Sequence, residues 1–157
     1  MTTKGNMNTH RKTAIIVKYG WVVYLFLGLL WLWVGLTQVF DPEALLDNEA
    51  QHILGTSLSE LEASFPEATE LVRFLFGTIG VLKTSWSLLV LAITLTGFRR
   101  GEKWAWYTMW LAPVVLVHQG LWYSVFLGDF NEMLRYIPIV TMNLVGLFLP
   151  YRKFFPR

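Results

Sequence analysis

The chain has 157 residues, enough for one ordinary domain. It is 54% hydrophobic and 15% charged, against roughly 25% charged in a soluble domain, and a net charge of +2 is too small to argue for nucleic acid as a partner. The absence of cysteine excludes disulfides, thiolate metal sites, thioether haem attachment and a cysteine nucleophile.

Four apolar stretches are long enough to cross a bilayer, which takes about 20 helical residues. The first runs from about Ala14 to Phe40. Its apolar run far exceeds the roughly 7–15 residues of a cleaved signal segment, and no small-residue cleavage site follows it. A polar connector then occupies residues 41–70, where SLSELEASFPEATELV offers a serine start, helix formers and a proline able to open a new helix. The second span covers about Leu71 to Phe98, and the tight turn GFRRGEKW leads into the third, Trp104 to Leu127. The short link GDFNEM precedes the fourth span, about Met133 to Pro150, and a basic tail follows. Eight Trp, six Tyr and eleven Phe suit the two membrane interfaces. Trp104, Trp106, Tyr107 and Trp110 read as an interfacial belt. Pro113 and Pro138 are placed to kink the third and fourth spans.

Charge orients these spans. Lys4, Arg11, Lys12 and Lys18 precede or enter the first, Arg99, Arg100 and Lys103 fill the middle turn, and Arg152, Lys153 and Arg157 end the chain. Residues 41–70 contain no Lys or Arg but hold Asp41, Glu43, Asp47, Glu49, Glu60, Glu62, Glu67 and Glu70. Basic segments stay on the cytoplasmic side, so both termini are expected inside and the acidic connector outside. The expected fold is an all-α integral membrane four-helix bundle, a single domain over residues 1–157 in the cell membrane. Its basic residues also attract anionic headgroups, by about 1 kcal/mol per charge near the surface.

Polar side chains within spans usually face other helices rather than lipid. The second span presents Arg73, Lys83, Thr84, Ser85 and Ser87, the third His118 and Gln119, and the fourth Arg135, Thr141 and Asn143. At 1.5 Å per residue, Lys83 and His118 each lie about 21 Å from the cytoplasmic ends of their spans, and Asn143 about 10 Å. Lys83, His118, Gln119 and Asn143 are therefore candidate ligand-binding residues. Against that stands a structural account, in which Lys83 snorkels along its own stem and His118 bonds a neighbouring helix. Arg73 and Arg135 lie near the outer ends of their spans, close in sequence to Glu67, Glu70, Asp129 and Glu132. They are candidates for interfacial ion pairs or for an outer-leaflet anion site. Gly28 with Gly35, and Gly77, Gly80, Thr84 and Ser87, form stripes that let helix backbones approach.

No Asp or Glu lies at mid-depth in any span, where ion-coupled transport or acid catalysis would want one. His118 has no second histidine at helical spacing, so no metal site is expected, nor any cofactor. His10 and His52 belong to the tail and the connector.

The PEALL that follows the first span, then ELVRFLFGTIGVLKTSW and GFRRGEKWAWYTMW, resemble small prokaryotic four-span proteins of the DoxX-like superfamily. The likeness covers about Gly28 to Pro113 and implies a four-helix bundle. Some DoxX relatives are associated, as membrane subunits, with quinone-linked oxidoreductase complexes. The resemblance assigns no catalytic residue here. The expected function is that of a small accessory or structural membrane subunit, without catalytic residues, which binds a protein partner, lipid or hydrophobic small molecule within the bilayer. Self-association into a homo-oligomer is included. The alternative is a small membrane enzyme acting on a lipid-like or quinone-like substrate, with Lys83 and His118 as its polar centre.

Overall fold

The computed structural model of the chain describes residues 19–128 and 130–156, with side chains for all of these except 127 and 131–133. Lys4, His10, Arg11, Lys12, Lys18, Asp129 and Arg157 lie outside the described residues, as do the opening of the first span and the side chain of Glu132.

The described residues form helices and no strands. In chain order these are α1 (Trp21–Phe40), α2 (Glu43–Leu54), α3 (Leu58–Ser64), α4 (Pro66–Ile93), α5 (Lys103–Met109), α6 (Leu111–Leu127), α7 (Phe130–Phe148) and α8 (Tyr151–Phe154). Four stretches are long and apolar enough to cross a membrane: Trp21–Phe40, Pro66–Phe98, Lys103–Phe126 and Leu134–Phe154.

Two boundaries differ from the sequence reading. The second span opens at Pro66 rather than Leu71, because proline at a first helical position forfeits only an N–H that has no helical partner anyway. At 33 residues this stretch is about 50 Å long, well beyond a hydrocarbon core of about 30 Å. The fourth stretch continues beyond Pro150, where α8 adds a further turn.

Residues 41–70, expected as a long acidic connector with a helix start before the second span, hold two helices, α2 and α3. Helix α2 ends at Gly55, whose φ of 69° takes the left-handed conformation that stops a helix. Helix α3 starts on a capping box: Glu60 N–H donates to Ser57 Oγ at 3.2 Å, and Ser57 N–H donates to Glu60 Oε2 at 3.0 Å. Asp47 Oδ1 accepts from Leu58 N–H at 2.7 Å, which ties α2 to the start of α3.

Two irregularities interrupt the spans. After Ile93 the backbone widens into five residues of π-helix, Thr94–Phe98. Pro113 supplies no N–H to the carbonyl four residues earlier, on Met109, and the helix breaks there between α5 and α6. Pro138 sits inside the continuous helix α7.

The packing divides the chain into two compact units. One comprises residues 28–89. Here α1 and α4 cross at small residues: a Cβ on Gly35 would lie 2.6 Å from Thr84 Oγ1, and one on Gly80 would lie 2.8 Å from Gln38 Cβ. The backbones approach this closely only because both positions lack a side chain. Gly77, grouped with them in sequence, faces open space.

The other unit joins residues 19–27 to residues 90–156. Its core is aromatic, with Phe98 between Tyr24, at 5.1 Å between ring centroids, and Phe154, at 4.8 Å. Tyr24 packs on Gly146 and Gly20 on Pro150, while α6 and α7 lie side by side.

Candidate functional site

In the unit of residues 28–89, Lys83 is half-buried on α4 with its ammonium 5.9 Å from the centre of the Trp31 ring. Glu49, on α2, attracts the same charge through space. A cation over an indole face is stabilised by the ring quadrupole, so Lys83 has partners inside its own unit. One turn toward the connector, Gln38 is 3% exposed, and neither its Oε1 nor Thr84 Oγ1 has a hydrogen-bond partner. Gln38 was legible in the sequence only as a polar residue near the end of a span. Its burial follows from the glycine opposite.

Arg73 gathers three carboxylates. Its Nη1 donates to Glu70 Oε1 at 2.5 Å and its Nη2 to Glu62 Oε2 at 3.3 Å. Its Nε lies 2.9 Å from Glu43 Oε1, an ion pair without hydrogen-bond direction. Glu70, three residues away on the same helix, was foreseeable. Glu43 on α2 and Glu62 on α3 were not. The arginine thus joins both connector helices to the start of the second span. Beside it a crevice of about 330 Å³ is lined by Glu43, Asp47, Ser59 and Glu62. Its carboxylates are already engaged, by Arg73 and by Leu58 N–H and Gln51. Among the described residues no three His, Cys, Asp or Glu side chains could hold a metal ion.

His118, Gln119, Asn143 and Arg135 all belong to the other unit. Asn143 is buried, with its Nδ2 donating to Ile139 O at 2.8 Å and its own carbonyl accepting from Tyr24 Oη at 2.8 Å. Gln119 is half-buried. Arg135 is exposed and partnered.

His118 is exposed on α6, where an inward face was expected. It heads a ridge at one-turn spacing. Its ring lies 6.4 Å from Trp122, which is 55% exposed and meets Phe126 in a tilted contact at 4.0 Å between ring centroids. Neither His118 nor Gln119 has a hydrogen-bond partner among the described residues. Ser85, Thr78 and Thr96 also face outward, but each hydroxyl bonds the carbonyl one turn back. His118 makes no such bond. Helical rise gives a residue's depth in a span and not the direction it faces, so this orientation could not be read in advance.

The turn between the second and third spans carries a basic rim. Arg99 lies over the Trp21 ring at 5.2 Å and Lys103 over the Phe155 ring at 5.4 Å. The Lys153 ammonium donates to the Arg99 carbonyl. Gly101, at φ 83°, seats the turn so close to Lys153 that a Cβ there would lie 3.0 Å from the lysine Cγ. Trp106 anchors this end, its Nε1–H donating to Leu147 O at 3.1 Å among the rings of Tyr107, Trp110, Tyr151 and Phe155.

No protein-family model matches the chain, and neither a curated protein nor a solved structure is similar to it.

Proposed function

We propose that this chain is a multi-pass subunit of the cell membrane that docks, through the outer face of α6, against a transmembrane helix of another chain. It threads with both termini and the 99–103 turn in the cytoplasm and the acidic connector outside. The distribution of Arg and Lys supports that orientation.

The observation that carries this reading is His118. In hydrocarbon an imidazole without a hydrogen-bond partner is costly, because no water is there to take the N–H or the ring nitrogen. A neutral imidazole both donates and accepts, and Trp122 adds an indole N–H one turn away. Together with Phe126 they form a rigid aromatic edge with two polar points. A neighbouring helix carrying a hydroxyl, amide or carbonyl matches that edge. Interhelical hydrogen bonds of this kind contribute about 0.6–2 kcal/mol.

The test is the mass of the particle extracted in mild detergent, measured by light scattering after size exclusion. The wild type is expected above monomer mass, and His118→Leu with Trp122→Leu at monomer mass with unchanged helicity. A wild type that runs alone as a monomer, or variants that keep the larger mass, would sink the reading. Complexes of one chain type and of two are separated by the composition of the same peak.

A further inference from the structure

The basic rim holds a pair of charges that no described carboxylate neutralises. Lys153 places its ammonium on the backbone carbonyl of Arg99, and the Arg99 guanidinium is near enough to act on that ammonium as a like charge. Among the described residues neither cation has a carboxylate within ion-pair distance. Glu102, one turn away, is occupied: it accepts from Trp104 Nε1–H and lies 3.9 Å from Arg100. The like charges are held there by the fold. Gly101 seats the turn on the Lys153 stem, and the Trp21 ring holds the Arg99 guanidinium at 5.2 Å. Two fixed cations without a counter-ion form an anion site whose cost has already been met by packing.

Its surroundings narrow the anion. Trp104, Tyr107 and Tyr151 are exposed around this end, and such side chains sit at headgroup level. A ligand reaching this pair from the bilayer therefore presents a headgroup, with its acyl chains against the apolar helices. We propose that Arg99 and Lys153 bind the phosphodiester of an anionic phospholipid, with the guanidinium and ammonium each taking a phosphate oxygen. Exposed Arg100 and Arg152 belong to the surrounding field and not to the site. The site depends on the chain lying in a membrane and not on the docking role of α6.

Spin-labelled phosphatidylglycerol and phosphatidylcholine, each added to the full chain in phosphatidylcholine vesicles, report preference as the ratio of motionally restricted label. Arg99→Gln with Lys153→Gln should lower the phosphatidylglycerol preference by at least about an order of magnitude, as loss of direct hydrogen bonds to a charged phosphate implies. Arg100→Gln with Arg152→Gln, equal in charge, should leave most of it. Arg99→Lys with Lys153→Arg keeps both charges and should keep the preference, which covers the case in which the neutral pair misfolds. Equal losses in the two neutral pairs would mean diffuse surface charge and overturn the proposal, as would no loss in either. Abolition of the preference by inorganic phosphate, but not by chloride at matched ionic strength, would make free phosphate the ligand and overturn the lipid assignment.

Discussion

The Tyr24 hydroxyl donates to the backbone carbonyl of Asn143 at 2.8 Å, joining α1 to α7. Tyr24 is fully buried and its ring also packs on Gly146 and Phe98. Proline or an unpaired carbonyl inside a span is tolerated only where some donor restores the bond, and here the phenol adds a second donor to a helical carbonyl. Tyr24→Phe keeps the ring and removes that donor, so it should cost about 0.5–1.5 kcal/mol. Asn143→Ala removes an amide that only bonds the carbonyl of Ile139 in its own helix. The tyrosine variant should therefore lose at least as much stability, measured as thermal unfolding in one detergent.

The crossing of α1 and α4 makes a sharper comparison among three glycines. Gly35→Ala and Gly80→Ala would each drive a methyl to within 3 Å of the opposing helix, meeting backbone and buried side chain. Overpacking of this kind costs about 1–3 kcal/mol. Gly77→Ala meets nothing and should be neutral, or stabilising by up to about 1 kcal/mol through helix propensity. Denaturant unfolding of the three variants distinguishes a true crossing point from a chance stripe. Equal behaviour at all three positions would refute the packing.

The sequence made the spans legible because hydropathy over about 20 residues is a property of the chain alone. Pro66 and Ser57 were legible as helix starters for the same reason, since caps act within a few residues. Arg73 was legible as an interfacial cation, yet two of its three carboxylates come from helices whose packing no local pattern encodes. The π-helical turn at Thr94–Phe98 accompanies Gly97 seated against Trp104 and Ala105, a contact across the basic turn. His118 faces outward on α6 where an inward face was expected, because helical rise along a span carries no azimuth.

Glu60 gives the connector a pH response. Ser57 N–H, and then the Thr56 and Ser57 hydroxyls, hold its carboxyl below the ordinary value of 4.5. A group whose pKa is depressed on folding stabilises the folded form above its unfolded pKa and loses that effect as pH falls through the folded one. The cap of α3 should thus hold unchanged from neutral pH to about 4.5 and fray below it. Backbone amide shifts of Ser57 and Glu60 followed by NMR on acidification should move together. Glu60→Gln, which can still fill a capping box, should flatten that titration.

Arg73 should act on the connector and leave the spans largely intact. Its three carboxylates are about half exposed or more, so water and salt weaken each pair. Arg73→Lys keeps the charge but loses the fork that reaches three oxygens at once. Hydrogen exchange should accelerate across residues 43–64 in this variant, and in the wild type at high salt, while residues 78–93 stay protected. Faster exchange throughout α4 would show instead that Arg73 supports the span itself.

Lys83 and Trp31 provide the test of whether a charge deep in this chain is satisfied locally. Trp31→Leu removes the ring face and leaves a gap, and Lys83→Met removes the charge while keeping most of the stem. Either change alone mixes packing with electrostatics. A double-mutant cycle isolates the pair, because the gap left by Trp31 is common to both backgrounds. The coupling should be about 0.5–2 kcal/mol, the range for a cation over an aromatic ring from exposed to desolvated settings. Glu49→Gln should weaken the wild type but not Lys83→Met, since its influence on this helix runs through the ammonium. If the coupling is zero and Lys83→Met is as stable as the wild type, the lysine is held by something other than Trp31 and Glu49. A ligand-free, detergent-purified sample would then be the wrong state in which to look for its partner.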